Sequence, residues 1–194
     1  MKPHPLDALL QRIDDRPAAR KNRLAWLAGI IDGEGNLQAT VQEKKCGSDG
    51  TRRNYFEPKV RITNTDVRMI KRISEIYVEH GIVFFYAINH VKRYKNRKST
   101  WRNQLEITVS AKVNIVKLLQ LVLPYLVAKR RYAELLLDTI KWVDAQPHRG
   151  RFSKGQPYSE LPAFWEHIDA MAVERDSLIE PIHTNRTANI ILSW

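Results

Sequence analysis

The sequence predicts an α+β fold in which four antiparallel strands carry helices on one face only. Three observations lead there. Apolar/polar alternation and helix-period segments follow one another in the order α-β-β-α-β-β-α-α. Each alternating run has a single apolar face, so the sheet needs cover on one side and leaves the other polar. The chain has 194 residues of which 43% are hydrophobic, enough for one real core.

Taken in order, residues 22–33 read as a helix, with Leu24, Leu27, Ile30 and Ile31 at helical spacing and Gly33 and Gly35 marking its end. Residues 36–44 alternate, Leu37, Ala39 and Val41 facing one way and Asn36, Gln38, Thr40, Gln42 and Lys44 the other. A turn at 47–50 leads to a second run, 54–63, with Phe56, Val60 and Ile62 inward and Tyr55, Glu57, Lys59, Arg61 and Thr63 outward. Thr65 or Asp66 can cap the next helix, which runs to about Gly81 on a stripe of Met69, Ile70, Ile73, Ile76 and Tyr77. Residues 82–94 are strand-like, 95–100 form a basic loop, and 101–110 alternate, with Leu105, Ile107 and Val109 opposite Arg102, Gln104, Glu106 and Thr108. Ser110 is expected to cap a helix to about Leu123; Pro124 breaks it, and a further helix spans 127–144. A Pro/Gly-rich loop at 146–158 precedes an acidic helix at 161–179. The expected division is an N-terminal extension (1–21), a core (22–144) and a C-terminal loop, helix and tail packing on it (145–194).

The formal charge of +11 is unevenly distributed. Residues 1–43 are balanced, residues 44–131 carry 20 basic and 6 acidic side chains, and residues 132–194 carry 6 and 9. Residues 92–102 hold six cations and no acid. Such a concentration points to a polyanionic partner, and each phosphate neutralised would steepen the salt dependence of binding by about 0.9 in log–log slope. The single Cys46 excludes an intrachain disulfide framework and a cysteine-built zinc site. His80, His90, His148, His167 and His183 show no ligand spacing, and no Gly-rich phosphate cradle or Gly-x-Ser-x-Gly element occurs. No apolar run approaches the roughly 18–20 residues of a membrane helix, and residues 1–23 lack an apolar stretch and carry Asp7, Asp14 and Asp15, so neither a membrane partner nor a secretory leader is expected. The expected location is intracellular: cytoplasm or nucleoid, or an organelle if the chain is encoded there.

One segment carries the chemistry. Leu27-Ala28-Gly29-Ile30-Ile31-Asp32-Gly33-Glu34-Gly35 resembles the nine-residue signature of the LAGLIDADG homing endonucleases and maturases. Ala25, Gly29 and Gly33 form a stripe of small residues along one helix face, along which two helix backbones can approach closely. More weakly, Val60-Arg61-Ile62-Thr63-Asn64-Thr65 resembles the family's second strand, and the segment from Pro124 and Tyr125 through Lys129 to Ala133 resembles its Pro-aromatic-Leu approach to a basic residue near the scissile phosphate. The resemblance covers roughly residues 22–144.

The resemblance implies the αββαββα fold, with a saddle-shaped sheet, and site-specific Mg²⁺-dependent cleavage of double-stranded DNA, as in intron-encoded homing enzymes. Glu34 is the implied metal ligand, assisted by the carbonyl of Gly33; family members more often carry Asp there, and Glu adds one methylene of reach. Lys129 is the implied cation stabilising developing charge, and Arg61 stands where a polar residue, often Gln, binds phosphate or orders water. Asp32 is expected to close the motif helix by hydrogen-bonding nearby backbone groups. Because the signature occurs once, the resemblance implies a homodimer through Ala25, Gly29, Asp32 and Gly33 that reads a long pseudo-palindromic site. Gln38, Gln42, Lys44, Lys59, Arg61, Arg102 and Gln104 are the expected contacts on the sheet, with Lys92, Arg93 and Arg97 extending the footprint along the phosphates. Two alternatives remain open: an RNA maturase, whose partner would be the host intron RNA, and a non-cleaving DNA-binding protein on the same fold.

Overall fold

Helix α1 spans Pro17–Glu34, longer than its apolar stripe, with a proline at the first position, where its fixed φ suits a helix start. The structure, a computed structural model, describes residues 17–46, 51–89, 103–146 and 157–179. Strands β1 (Gly35–Cys46) and β2 (Thr51–Asn64) pair antiparallel from Gly35 opposite Ile62 to Cys46 opposite Thr51. The turn expected at 47–50 lies outside the described residues. Asp66 caps helix α2 (Val67–Glu79), accepting the Arg68 amide at 2.9 Å. The Arg68 side chain also hydrogen-bonds this carboxylate, holding its pKa at about 2.

Strand β3 (Phe85–Asn89) begins three residues later than the run expected at 82–94. The reason lies in the exit from α2. Gly81 adopts φ +59, the Ile82 amide reaches back to the Tyr77 carbonyl at 2.8 Å, and Ile82 is buried rather than paired. The Val83 amide donates to Asn114 Oδ1 at 3.2 Å, so residues 82–84 serve the turn. Residues 90–94 lie outside the described set. Strand β4 (Gln104–Val109) inserts between β2 and β3, giving the antiparallel order β1-β2-β4-β3.

Helix α3 (Lys112–Val122) is not capped by Ser110. Ala111 takes the N-cap conformation, its carbonyl accepting from Asn114 and Ile115 at 2.9 and 3.0 Å, with no side-chain cap. A 3₁₀ turn at Leu123–Tyr125 accommodates Pro124, and helix α4 (Arg130–Ala145) starts later than the 127 expected. A second 3₁₀ turn (Tyr158–Glu160) precedes helix α5 (Pro162–Ile179).

The apolar face of the sheet (Leu37, Val60, Ile62, Ile107, Val109) is closed by Leu27, Ala28 and Ile31 of α1, by Ile70, Ile73 and Ile76 of α2, and by Leu118, Leu119 and Leu136 of α3 and α4, all buried. Each such Leu or Ile contributes about 1.5–3 kcal/mol by leaving water. Helix α5 adds Phe164 and Met171, both buried. Phe164 meets Tyr158 at 5.2 Å and Trp142 at 6.3 Å between ring centroids, and the Tyr158 hydroxyl accepts the Phe56 amide at 2.7 Å. Trp142 is therefore a packing residue, as its helical placement suggests.

The junction between α1 and β1 depends on Gly35. A Cβ there would stand 2.6 Å from the Ile31 carbonyl oxygen and 2.7 Å from the Ile31 Cα, both rigid backbone. Gly35→Ala is expected to destabilise the fold by about 1–3 kcal/mol in urea denaturation, the usual range for forced overpacking, with the loss borne by the helix–strand junction. An unchanged midpoint would show that the junction can yield.

Candidate functional site

Helix α1 divides its signature between two sides. Leu27, Ala28 and Ile31 enter the core, while Ala25, Trp26, Gly29 and Gly33 lie exposed on the other side. A Cβ on Gly29 or Gly33 would meet no atom within 4 Å, so the chain's own packing does not require these two glycines. Glu34 closes the helix with its side chain exposed, immediately before the turn at Gly35.

Asp32 does not bond nearby backbone as expected. Its Oδ2 accepts the Val127 amide at 2.8 Å and its Oδ1 accepts the Lys129 amide at 2.9 Å, partners 95 and 97 residues away. Lys129 answers in the opposite direction: its Nζ donates to the carbonyls of Ile31 at 2.9 Å and Asp32 at 2.5 Å. The last carbonyls of a helix lack partners within it and carry partial negative charge, so an ammonium group there meets both needs. This exchange explains the late start of α4, because the amides at 127 and 129 face Asp32 while the chain is still turning. Lys129 is half-buried. Burial lowers its pKa, opposed by the negative charges of Asp32 and Glu34.

The polar face of the sheet brings most of the expected readers together. In β1–β2 register, Asn36 faces Arg61, Gln38 faces Lys59 and Gln42 faces Tyr55, while Arg61 faces Thr108 across β4. Arg61 therefore lies beside the strand that leaves Glu34, linking the motif to the sheet. Gln104, exposed, sits at the far end of β4 opposite Asn89. Lys44 is not presented as an open cation, because its ammonium is ion-paired with Glu57. Lys92, Arg93, Arg97 and Arg102 lie outside the described residues.

Two carboxylates on this face were not singled out from sequence. Glu57 holds Lys44, and Glu106 stands 3.2 Å from Arg61 Nε with its side chain only 12% exposed. An acid on the outward side of a strand amid a +14 section was the available signal. Among the described residues no group of three or more His, Cys, Asp or Glu could hold a metal. Asp32 is engaged by two amides, which leaves Glu34 as the exposed carboxylate at the helix end. One carboxylate with backbone oxygens fits Mg²⁺ as a partial shell, since this ion retains waters and takes few protein ligands.

The clasp yields a measurable consequence. Asp32→Asn removes a charge that raises the Lys129 pKa, so the Lys129 ammonium should deprotonate at lower pH than in the parent protein, read by NMR titration of its Cε and Nζ. The same substitution weakens two charge-assisted bonds and should cost about 1–3 kcal/mol of stability. A Lys129 titration unmoved by Asp32→Asn would place the two side chains in independent roles.

No protein-family profile matches the sequence, and neither does any curated protein. Solved structures do match. The homing endonuclease I-CvuI, crystallised with its DNA target in the presence of Ca, has a TM-score of 0.50 and 18% identity, over 83% of this chain and 82% of that one. The homing endonuclease I-TnaI gives a TM-score of 0.50 and 14% identity over 80% of this chain and 97% of that one. The meganuclease I-SmaMI, bound to uncleavable DNA, gives 0.50 and 15% over 79% of this chain and 44% of that one. With the motif helix ending at an exposed carboxylate and a four-stranded antiparallel sheet turning its polar face outward, the architecture of this chain is the LAGLIDADG homing endonuclease fold.

Proposed function

We propose that the chain is a site-specific DNA endonuclease of the homing type that acts as a homodimer on a long pseudo-palindromic site. The observation that carries this reading is the division of labour between the two acids of the signature. Asp32 is absorbed into the clasp with residues 127 and 129, whereas Glu34, two residues on, is exposed at the helix tip beside the Lys129 charge. Structure alone would need the first acid. The second is what hydrolysis of a phosphodiester needs.

Glu34 and the carbonyl of Gly33 would hold the divalent cation, Mg²⁺ in this reading. When bound, that cation supplies activation of water and relief of charge on the reacting oxygens. Lys129 keeps the helix end, and so the Glu34 carboxylate, in place, and adds a fixed positive charge where the phosphate approaches. Arg61 presents a guanidinium from the neighbouring strand, suited to a phosphate oxygen or a solvent molecule near it. Gln38, Gln42, Lys59 and Gln104 share the face that would follow the major groove, which admits a β-ribbon.

The exposed stripe of Ala25, Gly29 and Gly33 beside Trp26 supports a second copy packed helix to helix, which would bring two Glu34 carboxylates together, one for each DNA strand.

Selection of cleaved sites from a randomised duplex library with Mg²⁺ tests the function and reveals the symmetry of the target together. Glu34→Gln should abolish cleavage and leave site-specific binding largely intact; undiminished cutting by that variant would remove Glu34 from the metal site. Specific binding without cleavage by the parent protein would replace this reading with a non-cleaving DNA-binding protein. Gly29→Leu should force the motif helices apart and weaken dimerisation by roughly tenfold or more in light scattering across a dilution series, because a branched side chain cannot fit a close backbone crossing. A dimer of unchanged strength would move the interface elsewhere.

A further inference from the structure

A carboxylate is an unexpected occupant of a face meant for a polyanion. It repels phosphate, and burying it costs free energy unless hydrogen bonds and opposite charge compensate. Glu106 is such a group. It lies on β4, the strand between β2 and β3, with its side chain 12% exposed. Three strands converge on it. The Thr108 hydroxyl donates to Oε1 at 3.0 Å, Asn89 Nδ2 donates to Oε2 at 3.2 Å, and Arg61 Nε stands 3.2 Å from Oε1. The Arg61 contact is a charge contact rather than an aligned hydrogen bond, since Nε has no hydrogen-bond partner among the described residues. Thr108 is itself 1% exposed, although it belongs to the polar side of its strand. A buried hydroxyl aimed at a carboxylate fixes that carboxylate's rotamer, and Asn89 fixes it from the other oxygen.

Arg61 keeps 34% of its side chain exposed while its Nε edge faces Glu106. The anchored carboxylate thus restrains the inner edge of the guanidinium and leaves its outer part accessible. Resting on the reading of this face as the DNA saddle, we propose that Glu106 is a positioning residue: held by Thr108 and Asn89, it sets the orientation in which Arg61 meets the scissile region of bound DNA. Glu106 itself touches no DNA in this assignment and acts through Arg61.

Three roles for Glu106 give different results. As mere negative charge on the saddle, its neutralisation in Glu106→Gln would tighten DNA binding and leave the rate per bound complex unchanged. As mere scaffold, its loss would lower thermal stability and reduce binding and cleavage in proportion. As a positioning residue, Glu106→Gln should leave the Kd for the library-selected duplex unchanged or lower, while the single-turnover cleavage rate falls on the order of tenfold, the scale of a misplaced catalytic contact. Glu106→Asp, which keeps the charge, should recover part of that rate. Thr108→Val should lower the rate, while Thr108→Ser, which keeps the hydroxyl, should not. In an Arg61→Ala background Glu106→Gln should have no further effect on the rate.

A readout without DNA separates this assignment from the endonuclease reading. In the free protein the Arg61 Nε–H order parameter from ¹⁵N relaxation should be high and should fall in Glu106→Gln and Thr108→Val. Unchanged Arg61 order in both variants overturns the positioning role, whatever the protein does to DNA. Equal loss of rate in the Arg61→Ala and parent backgrounds overturns it as well. If the parent protein selects no DNA site while Arg61 order depends on Glu106 as stated, the endonuclease reading falls and the restraint of Arg61 by Glu106 stands.

Discussion

Across the gap between the end of α1 and the start of α4, the carboxylate of Asp32 and the ammonium of Lys129 each hydrogen-bond main-chain groups of the opposite segment. Each satisfies main-chain groups that the other's segment cannot satisfy internally: two amides before a helix begins, two carbonyls where another ends. The direction of the charges suits the helix dipole at both ends, with an anion near the start of α4 and a cation at the end of α1. The position of the helix tip depends on this exchange. It fixes where Glu34 emerges, it carries a positive charge to the same place, and it ties the signature to a segment nearly a hundred residues away. Gly35 completes the arrangement by letting β1 leave the helix against the Ile31 backbone, where no side chain fits.

The polar face of the sheet shows a related economy. Cations on it are held by carboxylates of the same face, Lys44 by Glu57 and Arg61 by Glu106. An intramolecular partner restricts a long side chain before any ligand arrives, which reduces the ordering cost of binding. A phosphate approaching this face would have to compete with Glu57 for the Lys44 ammonium.

Much of the fold was legible because its elements are periodic. The alternation of Leu37, Ala39 and Val41 with Gln38, Thr40 and Gln42, and the stripe Ile70, Ile73, Ile76 and Tyr77, each place an apolar face that the structure buries or packs against the core. The errors fell where a local preference competed with a distant partner. Ser110 is a good cap by type, yet Ala111 holds the cap position. Residues 127–129 suit a helix, yet two of their amides turn toward Asp32. Residues 82–84 suit a strand, yet the turn at Gly81 claims them.

What the sequence by itself determined is the fold class, the signature helix with its two acids and the concentration of positive charge, since periodicity, composition and a nine-residue register are local properties of the chain. Only the tertiary structure decided which acid of the signature is engaged and which is exposed, that Lys129 turns toward helix carbonyls, and that Glu106 stands behind Arg61. Those assignments depend on residues that are 97 and 45 positions apart in the chain yet within hydrogen-bonding or ion-contact distance in space. Electrostatic and hydrogen-bond partners act over a few ångströms, and that proximity is created by packing α1 against the sheet and pairing β2 with β4.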